Sequence, residues 1–164
     1  MAERIIEALG AIPNEIKIFI ISLLPIVELR GAIPVGAALG LDPFVAFAVS
    51  VVGNLLPVPF IILLGRSIIN LLKKIKIFKG ITEKIERKVS QKADKVMKNA
   101  AFGLFLFVAI PLPGTGAWTG ALIASLFDMR FKYALPSIAL GVLTAGVIMT
   151  LGAYGVVGFL GLFA

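Results

Sequence analysis

Long apolar runs separated by short polar interruptions set the pattern of this chain. Residues 44–65 form an uncharged run with the length of one membrane-spanning helix, and residues 133–152 form a second such run. Pro57 and Pro59 lie inside the first run, and they predict a kink there because proline donates no backbone hydrogen bond. Residues 153–164 either extend the second span or bend back along the membrane interface, and the pattern favours neither.

Two further apolar runs, residues 18–41 and 99–127, are too short to cross a membrane twice, because two crossings need about 40 residues. Each run is broken in its middle, the first by Glu28 to Pro34 and the second by Pro111 to Gly116. Irregular backbone at membrane depth persists only where protein or a water-filled cavity covers it. Both runs therefore predict re-entrant helical hairpins with their tips at these two breaks.

The same order of elements, hairpin then surface turn then spanning helix, is predicted in both halves of the chain. A Gly-x-x-x-Gly pair follows each tip, at Gly36 and Gly40 and again at Gly116 and Gly120. The predicted fold class is an all-α polytopic membrane protein with two inverted repeats, each a re-entrant helical hairpin plus one transmembrane helix, joined by a basic amphipathic cytoplasmic helix. The chain is expected to be one membrane domain, with residues 1–65 as the first repeat and its N-terminal interfacial helix, 66–98 as the linker and 99–164 as the second repeat.

The linker, residues 66–98, holds most of the lysines and arginines of the chain. Its apolar residues recur at close to the spacing of an amphipathic helix, or of two such helices. Lys84, Lys88 and Lys92 repeat every four residues on its polar side, which favours contact with anionic lipid headgroups; a solvated charged face is the alternative. Because basic residues favour the cytoplasmic side, we expect the linker in the cytoplasm and Asp42 outside, which gives the two repeats opposite topologies.

Composition excludes a soluble protein and several kinds of chemistry. The chain is 59% hydrophobic and 15% charged, whereas soluble domains are about 45–50% apolar and about 25% charged. It has no cysteine and no histidine, which excludes disulfides, thiol catalysis and the usual zinc sites. No cofactor and no metal site are expected. The basic linker lacks interleaved aromatic residues, so a nucleic-acid partner is not expected either, and no set of catalytic side chains indicates an enzyme.

Glu28 and Arg30 lie two residues apart inside an otherwise apolar run, where charges are costly and usually functional. As a site, Glu28 would take and release a proton while Arg30 would bind an anionic substrate group or act on the acid. The alternative is a fixed ion pair that holds the two tips together. Asn54 and Thr115 would add neutral hydrogen bonds. The predicted substrate and proton site is Glu28, Arg30, Gly31, Pro34, Asn54, Pro113, Gly114 and Thr115.

The residues at the two tips carry a family resemblance. The stretch from Glu28 to Pro34, Glu-Leu-Arg-Gly-Ala-Ile-Pro, and the stretch from Pro111 to Gly114, Pro-Leu-Pro-Gly, resemble the putative small multidrug export proteins, a family of small prokaryotic membrane proteins. More distantly, the chain is similar to the DedA (VTT-domain) superfamily. It departs from that superfamily at Thr115 and Gly116, where an arginine commonly follows the Pro-Gly.

The resemblance implies a small multi-pass transporter in the plasma membrane of a prokaryote. Its expected function is proton-coupled export of small amphipathic molecules or lipid-linked substrates. The alternatives are a lipid or lipid-carrier flippase or scramblase of the DedA type and a non-transporting membrane scaffold or assembly factor. Expected partners are membrane lipids, the small-molecule or lipid substrate, and a second copy of the chain in a homo-oligomer.

Overall fold

The computed structural model describes residues 10, 12–73, 93–112 and 114–161, and every regular element in these residues is an α-helix. The predicted interfacial helix at residues 1–12 lies almost wholly outside the described residues, and so do Lys84, Lys88, Lys92 and Pro113. The described helices are α1 (Asn14–Leu23), α2 (Glu28–Ala38), α3 (Pro43–Leu55), α4 (Val58–Lys73), α5 (Ala93–Ala109), α6 (Ala117–Leu126) and α7 (Phe131–Gly161).

The first short helix pair, α1 and α2, turns earlier than the sequence predicts. Leu24 is extended because it precedes Pro25, and this ends α1. The connection is Leu24–Val27, so the predicted tip at Glu28 to Pro34 is wrong: those residues form the first turns of α2. Pro34 is accommodated inside the helix because its fixed φ is helical, at the loss of the one hydrogen bond that its nitrogen would donate to the Arg30 carbonyl.

The first long apolar segment is built from two helices, α3 and α4. Asp42 caps α3, since its Oδ1 accepts hydrogen bonds from the backbone N–H of Phe44 at 2.9 Å and of Val45 at 3.2 Å. The helix is interrupted between Leu55 and Val58, which confirms the predicted break at the prolines. Residues Pro43–Gly65 together are long and apolar enough to cross a membrane. α4 then continues without a break into the first residues of the basic linker.

The second half contains α5, a connection from Ile110 to Gly116, α6 and the long helix α7. The position of this connection agrees with the predicted tip. Residues Phe131–Val156 of α7 are long and apolar enough to span a membrane. α7 runs on to Gly161, so residues 153–161 extend the second span and do not bend back.

The helices of the two halves pack against each other. α1 and α2 contact each other and α3, while α2 also packs on α7 and α6 packs on α4. Small residues allow the closest approaches: a Cβ added at Gly141 would lie 2.7 Å from the Cβ of Val108. Many large apolar side chains remain exposed, among them Phe44, Phe60, Leu64 and Leu151. The two long helices and this apolar exterior are those of a membrane protein.

Candidate functional site

Glu28 is the first residue of α2, and its side chain reaches across to the second half of the chain. The residue is only 4% exposed. Its carboxylate accepts hydrogen bonds from the backbone N–H of Trp118 at 3.0 Å and of Ala117 at 3.3 Å. These are the first two residues of α6, whose N-cap, Gly116, has no side chain to accept them. Glu28 therefore caps a helix to which it does not belong.

The backbone on both sides of this contact is unusual. Glu28 has φ of 53°, a left-handed conformation that side-chain-bearing residues adopt at a cost. Gly116 has φ of 149°, and a Cβ there would collide with the Glu28 carboxylate. Gly116 must therefore be glycine both for its backbone conformation and to let the carboxylate approach the first N–H groups of α6.

Arg30 binds the C-terminus of α5 and the connection between α5 and α6. Its Nη2 donates to the carbonyls of Val108 and Ile110, each at 3.2 Å, and its Nη1 donates to the carbonyls of Leu112 and Thr115. These oxygens lie at the C-terminus of α5 and in the connection that follows it. The Val108 carbonyl belongs to the last turn of α5, whose carbonyls lack donors within the helix, while those of Ile110 and Leu112 also accept from Thr115.

The two charges therefore match the electrostatics of the helix ends that they bind. A helix N-terminus favours a negative group and a C-terminus a positive one. Glu28 lies at the N-terminus of α6 and Arg30 at the C-terminus of α5. Within the described residues, both side chains hydrogen-bond to backbone groups of residues 108–118 rather than to each other. The two connections are held together by side chain to backbone contacts.

A pocket of about 540 Å³ opens between the two connections, next to these charges. Gly114 lines it with φ of 81°, and Thr115 lines it beside Arg30. The Thr115 hydroxyl bonds to the carbonyls of Ile110 and Leu112, both at 2.9 Å, and so closes its own connection. The pocket residues are Pro25, Ile26, Val27, Glu28, Arg30, Pro111, Leu112, Gly114, Thr115, Thr119 and Met149.

Asn54 lies beside Glu28, on α3, and does not line the pocket. It is 1% exposed, and its amide is close enough to act as a weak donor to the carboxylate. Three buried side-chain atoms here have no hydrogen-bond partner in the part of the chain that the structure describes: Asn54 Oδ1, Ser50 Oγ and Trp118 Nε1. Ser50 was not predicted, although its position four residues before Asn54 places it on the same helix face.

The structure thus brings Glu28, Arg30, Asn54, Gly114 and Thr115 of the predicted site together. Gly31 and Pro34 lie further along α2 and do not line the pocket; a Cβ at Gly31 would collide with Val27.

Comparison with known proteins gives one match. Residues 28–148 match the model of a family described as putative small multi-drug export protein. The matched region begins at Glu28 and includes Arg30 and the pocket residues of the second connection. No curated protein and no solved structure matches the chain. The likeness to the DedA superfamily is therefore not shown.

Proposed function

Because this chain belongs to the putative small multi-drug export protein family, we propose that it is a proton-coupled secondary transporter for small amphipathic molecules. The family's description indicates export, which is transport rather than catalysis. The observation that carries the proposal is the contact of the Glu28 carboxylate with the first turn of α6 at the edge of the pocket. In this proposal the pocket binds substrate and Glu28 carries the coupling proton.

Protonation of Glu28 would change the contact between the two halves. An ionised carboxylate is a strong acceptor for the N–H groups of Ala117 and Trp118, and it complements the positive end of α6. A protonated carboxyl group has lost that charge and needs an acceptor for its own hydrogen. Taking up a proton therefore loosens α6 from α2, which links occupancy of Glu28 to the shape of the pocket.

Arg30 serves as the permanent anchor in the same proposal. A guanidinium stays charged at all physiological pH values, so its bonds to the C-terminus of α5 do not titrate. Four carbonyls already take its Nη donors in this conformation. We therefore propose that Arg30 holds the second connection in place, and that an anionic substrate group would reach it only after those bonds open.

The arrangement suits alternating access by two inverted repeats. Broken helices that meet near the membrane centre are a recurring feature of secondary transporters. Here α2 of the first half packs on α7 of the second, and α6 packs on α4. In the proposed topology both short pairs are re-entrant, the basic linker lies on the cytoplasmic surface of a prokaryotic plasma membrane, and Lys84, Lys88 and Lys92 contact anionic headgroups.

A transport assay tests this function. Purified protein in proteoliposomes should move ethidium, a fluorescent amphipathic cation, when a pH gradient is imposed. Glu28→Gln keeps the size of the side chain but cannot titrate, so it should abolish proton-driven movement. Glu15→Gln, which alters an exposed acid of α1, is the matched control and should transport as the natural chain does. A Glu28→Gln protein that transports at the normal rate would remove Glu28 from the coupling.

A lipid substrate is the second candidate, and one feature favours it. The pocket is bordered by Ile26, which is 94% exposed, and by the exposed Leu112. An apolar border suits a molecule that enters from the lipid. Movement of a fluorescent phospholipid between leaflets by the same proteoliposomes would support a flippase, and the absence of both activities would favour a membrane scaffold.

A further inference from the structure

A second group of polar side chains lies beside Glu28, on α3. α2 and α3 pack with Gly36 against Ala46 and with Glu28 beside Asn54, so the two helices run antiparallel. This register places Ser50 of α3 at the level of Ala32 of α2, and both residues are fully buried.

Two buried side-chain oxygens of α3 lack hydrogen-bond partners among the described residues. Ser50 Oγ and Asn54 Oδ1 have no hydrogen bond in the described part of the chain. Leaving one buried polar atom unpaired costs about 1–3 kcal/mol, so two on adjacent turns point to a ligand for them. Because Ser50 and Asn54 are four residues apart on one helix face, their side chains can converge on one bound atom.

The break between α3 and α4 adds a backbone oxygen beside them. The carbonyl of Gly53 would be bonded by the N–H of residue 57 in an unbroken helix, but Pro57 has no N–H. Gly53 is itself buried and packs on α1, where a Cβ would lie 2.9 Å from the carbonyl oxygen of Phe19. A freed carbonyl next to a helix break is the kind of ligand that broken membrane helices present to a sodium ion.

Glu28 supplies the negative charge of the group. Each of its carboxylate oxygens accepts one backbone N–H, and the Asn54 amide is a third, weak donor, which leaves acceptor capacity for one more partner. Arg30 does not occupy that capacity, because its Nη groups donate to carbonyls of residues 108–115. Among the described residues of α3 and α6 that pack here, none carries a second charge.

We propose that Ser50, Asn54, Glu28 and the Gly53 carbonyl form a binding site for a monovalent alkali cation, sodium. All four ligands are oxygens, which hard cations prefer. A single carboxylate suits one positive charge, and no group of three acidic or other metal-binding side chains exists among the described residues. The site revises the expectation from the sequence that no metal is bound. It goes beyond the proposed function, in which Glu28 carries a proton, by placing a second cation at the same carboxylate, and sodium binding does not depend on transport being shown.

Thermal unfolding of the purified full-length chain in detergent tests the site without a substrate. Sodium chloride should replace choline chloride at constant ionic strength and raise the unfolding temperature in a saturable way, by about 5–10 °C at a hundred times the dissociation constant. Potassium should give a smaller shift. Radioactive sodium should bind saturably, with one site per chain. Equal unfolding temperatures in sodium and choline, with no saturable binding, would overturn the proposal and assign these oxygens to bound water.

Variants locate the site. Ser50→Ala should weaken sodium binding at least tenfold, while its unfolding temperature in choline chloride stays unchanged or rises because an unpaired buried oxygen is removed. Asn54→Leu should abolish the sodium effect. Ser137→Ala is the matched control, since its buried hydroxyl donates to the Tyr133 carbonyl of its own helix at 2.8 Å, and it should keep the full shift. An undiminished shift in both Ser50→Ala and Asn54→Leu would place the ion elsewhere and refute the site.

The two proposals fail in different ways. Sodium stabilisation that Ser50→Ala removes, in a chain that moves no dye or lipid, would keep the site and reject the transporter. Dye transport driven by a pH gradient, without any sodium shift, would keep the transporter and reject the site.

Discussion

The two short helix pairs share one plan but contribute opposite things to the site. The α1–α2 pair carries Glu28 and Arg30 in the first turn of its second helix, next to a short connection. The α5–α6 pair has no charge from its last helical turn through α6 and presents bare helix ends on either side of a longer connection. One pair has charges that need partners, and the other has backbone groups that need caps. The pairs are complementary: the charges of the first pair bind the helix ends of the second, whose connection also bonds to itself through Thr115.

The largest effect is expected from removing the guanidinium that serves the second connection. Arg30→Met would remove the guanidinium donors from four carbonyls, of which those of Ile110 and Leu112 keep only their bonds within the connection. We expect a loss of about 3–5 kcal/mol in unfolding free energy. Arg30→Lys should recover less than half of this, because an ammonium group cannot spread its donors over the same oxygens. Thermal unfolding in detergent measures both; equal stability of Arg30→Met and the natural chain would show that the connection is self-supporting.

A methyl group at Gly116 should separate the two pairs directly. Gly116→Ala places a Cβ against the Glu28 carboxylate and strains the backbone, which should cost about 2–4 kcal/mol. Gly114→Ala is the control, because it also has positive φ but its Cβ would meet open space, and it should cost about 1 kcal/mol. The unfolding temperatures of the two variants give the comparison. If they fall equally, the close approach of Glu28 to α6 contributes nothing.

Neutralising Glu28 should weaken the same contact more mildly. Glu28→Gln keeps an oxygen that can accept one backbone N–H of α6 but loses the charge that complements the helix end, at about 1–2 kcal/mol. Glu28→Ala should cost more, since both N–H groups then lack a partner. Hydrogen exchange at Ala117 and Trp118 reports the contact locally: it should rise in both variants, and unchanged protection would contradict the capping role.

The smallest effect should come from the hydroxyl that closes the second connection. Thr115→Val removes the bonds from Oγ1 to the carbonyls of Ile110 and Leu112, and we expect a loss of about 1 kcal/mol. Thr119→Val, at a half-buried residue of α6 that also lines the pocket, is the control and should change stability by less. A loss from Thr115→Val as large as that from Arg30→Met would mean that the connection depends mainly on its own bonds.

Much of this arrangement was accessible from the sequence. The lengths of the apolar runs correctly predicted two long apolar helices and two interrupted short pairs, because apolar length is a property of the chain alone. The isolation of Glu28 and Arg30 in an apolar run predicts a functional site; both residues line the pocket, and their role in transport stays a prediction. The first connection was misplaced because Pro25 and Pro34 are equally plausible helix breakers by composition, and tertiary packing decided between them.

The hydrogen-bond partners of Glu28 and Arg30 could not be predicted from the sequence. A helix end exposes backbone N–H and carbonyl groups that nearly every residue type possesses. No residue type in the sequence therefore identifies a particular helix end as the partner of a buried charge. Gly116 belongs to the predicted second tip and to a Gly-x-x-x-Gly pair, but its role beside the carboxylate depends on a contact between residues far apart in the chain. Ser50 could not be identified from the sequence, because a single serine in an apolar helix is common. Its hydroxyl is unusual only because it has no hydrogen-bond partner among the described residues.

The uninterrupted course of α4 has a mechanical consequence. The helix packs on α6, where Ser125 Oγ donates to the carbonyls of Ile61 and Ile62. It continues from Gly65 to Lys73, about 12 Å past the end of the apolar span at the rise of an α-helix. Because α4 is one continuous helix that packs on α6, a tilt of α6 would also move the start of the basic linker across the membrane surface. Anionic lipids that bind the linker would then favour or oppose this movement, so the lipid composition of the membrane would affect the position of α6 and the shape of the pocket.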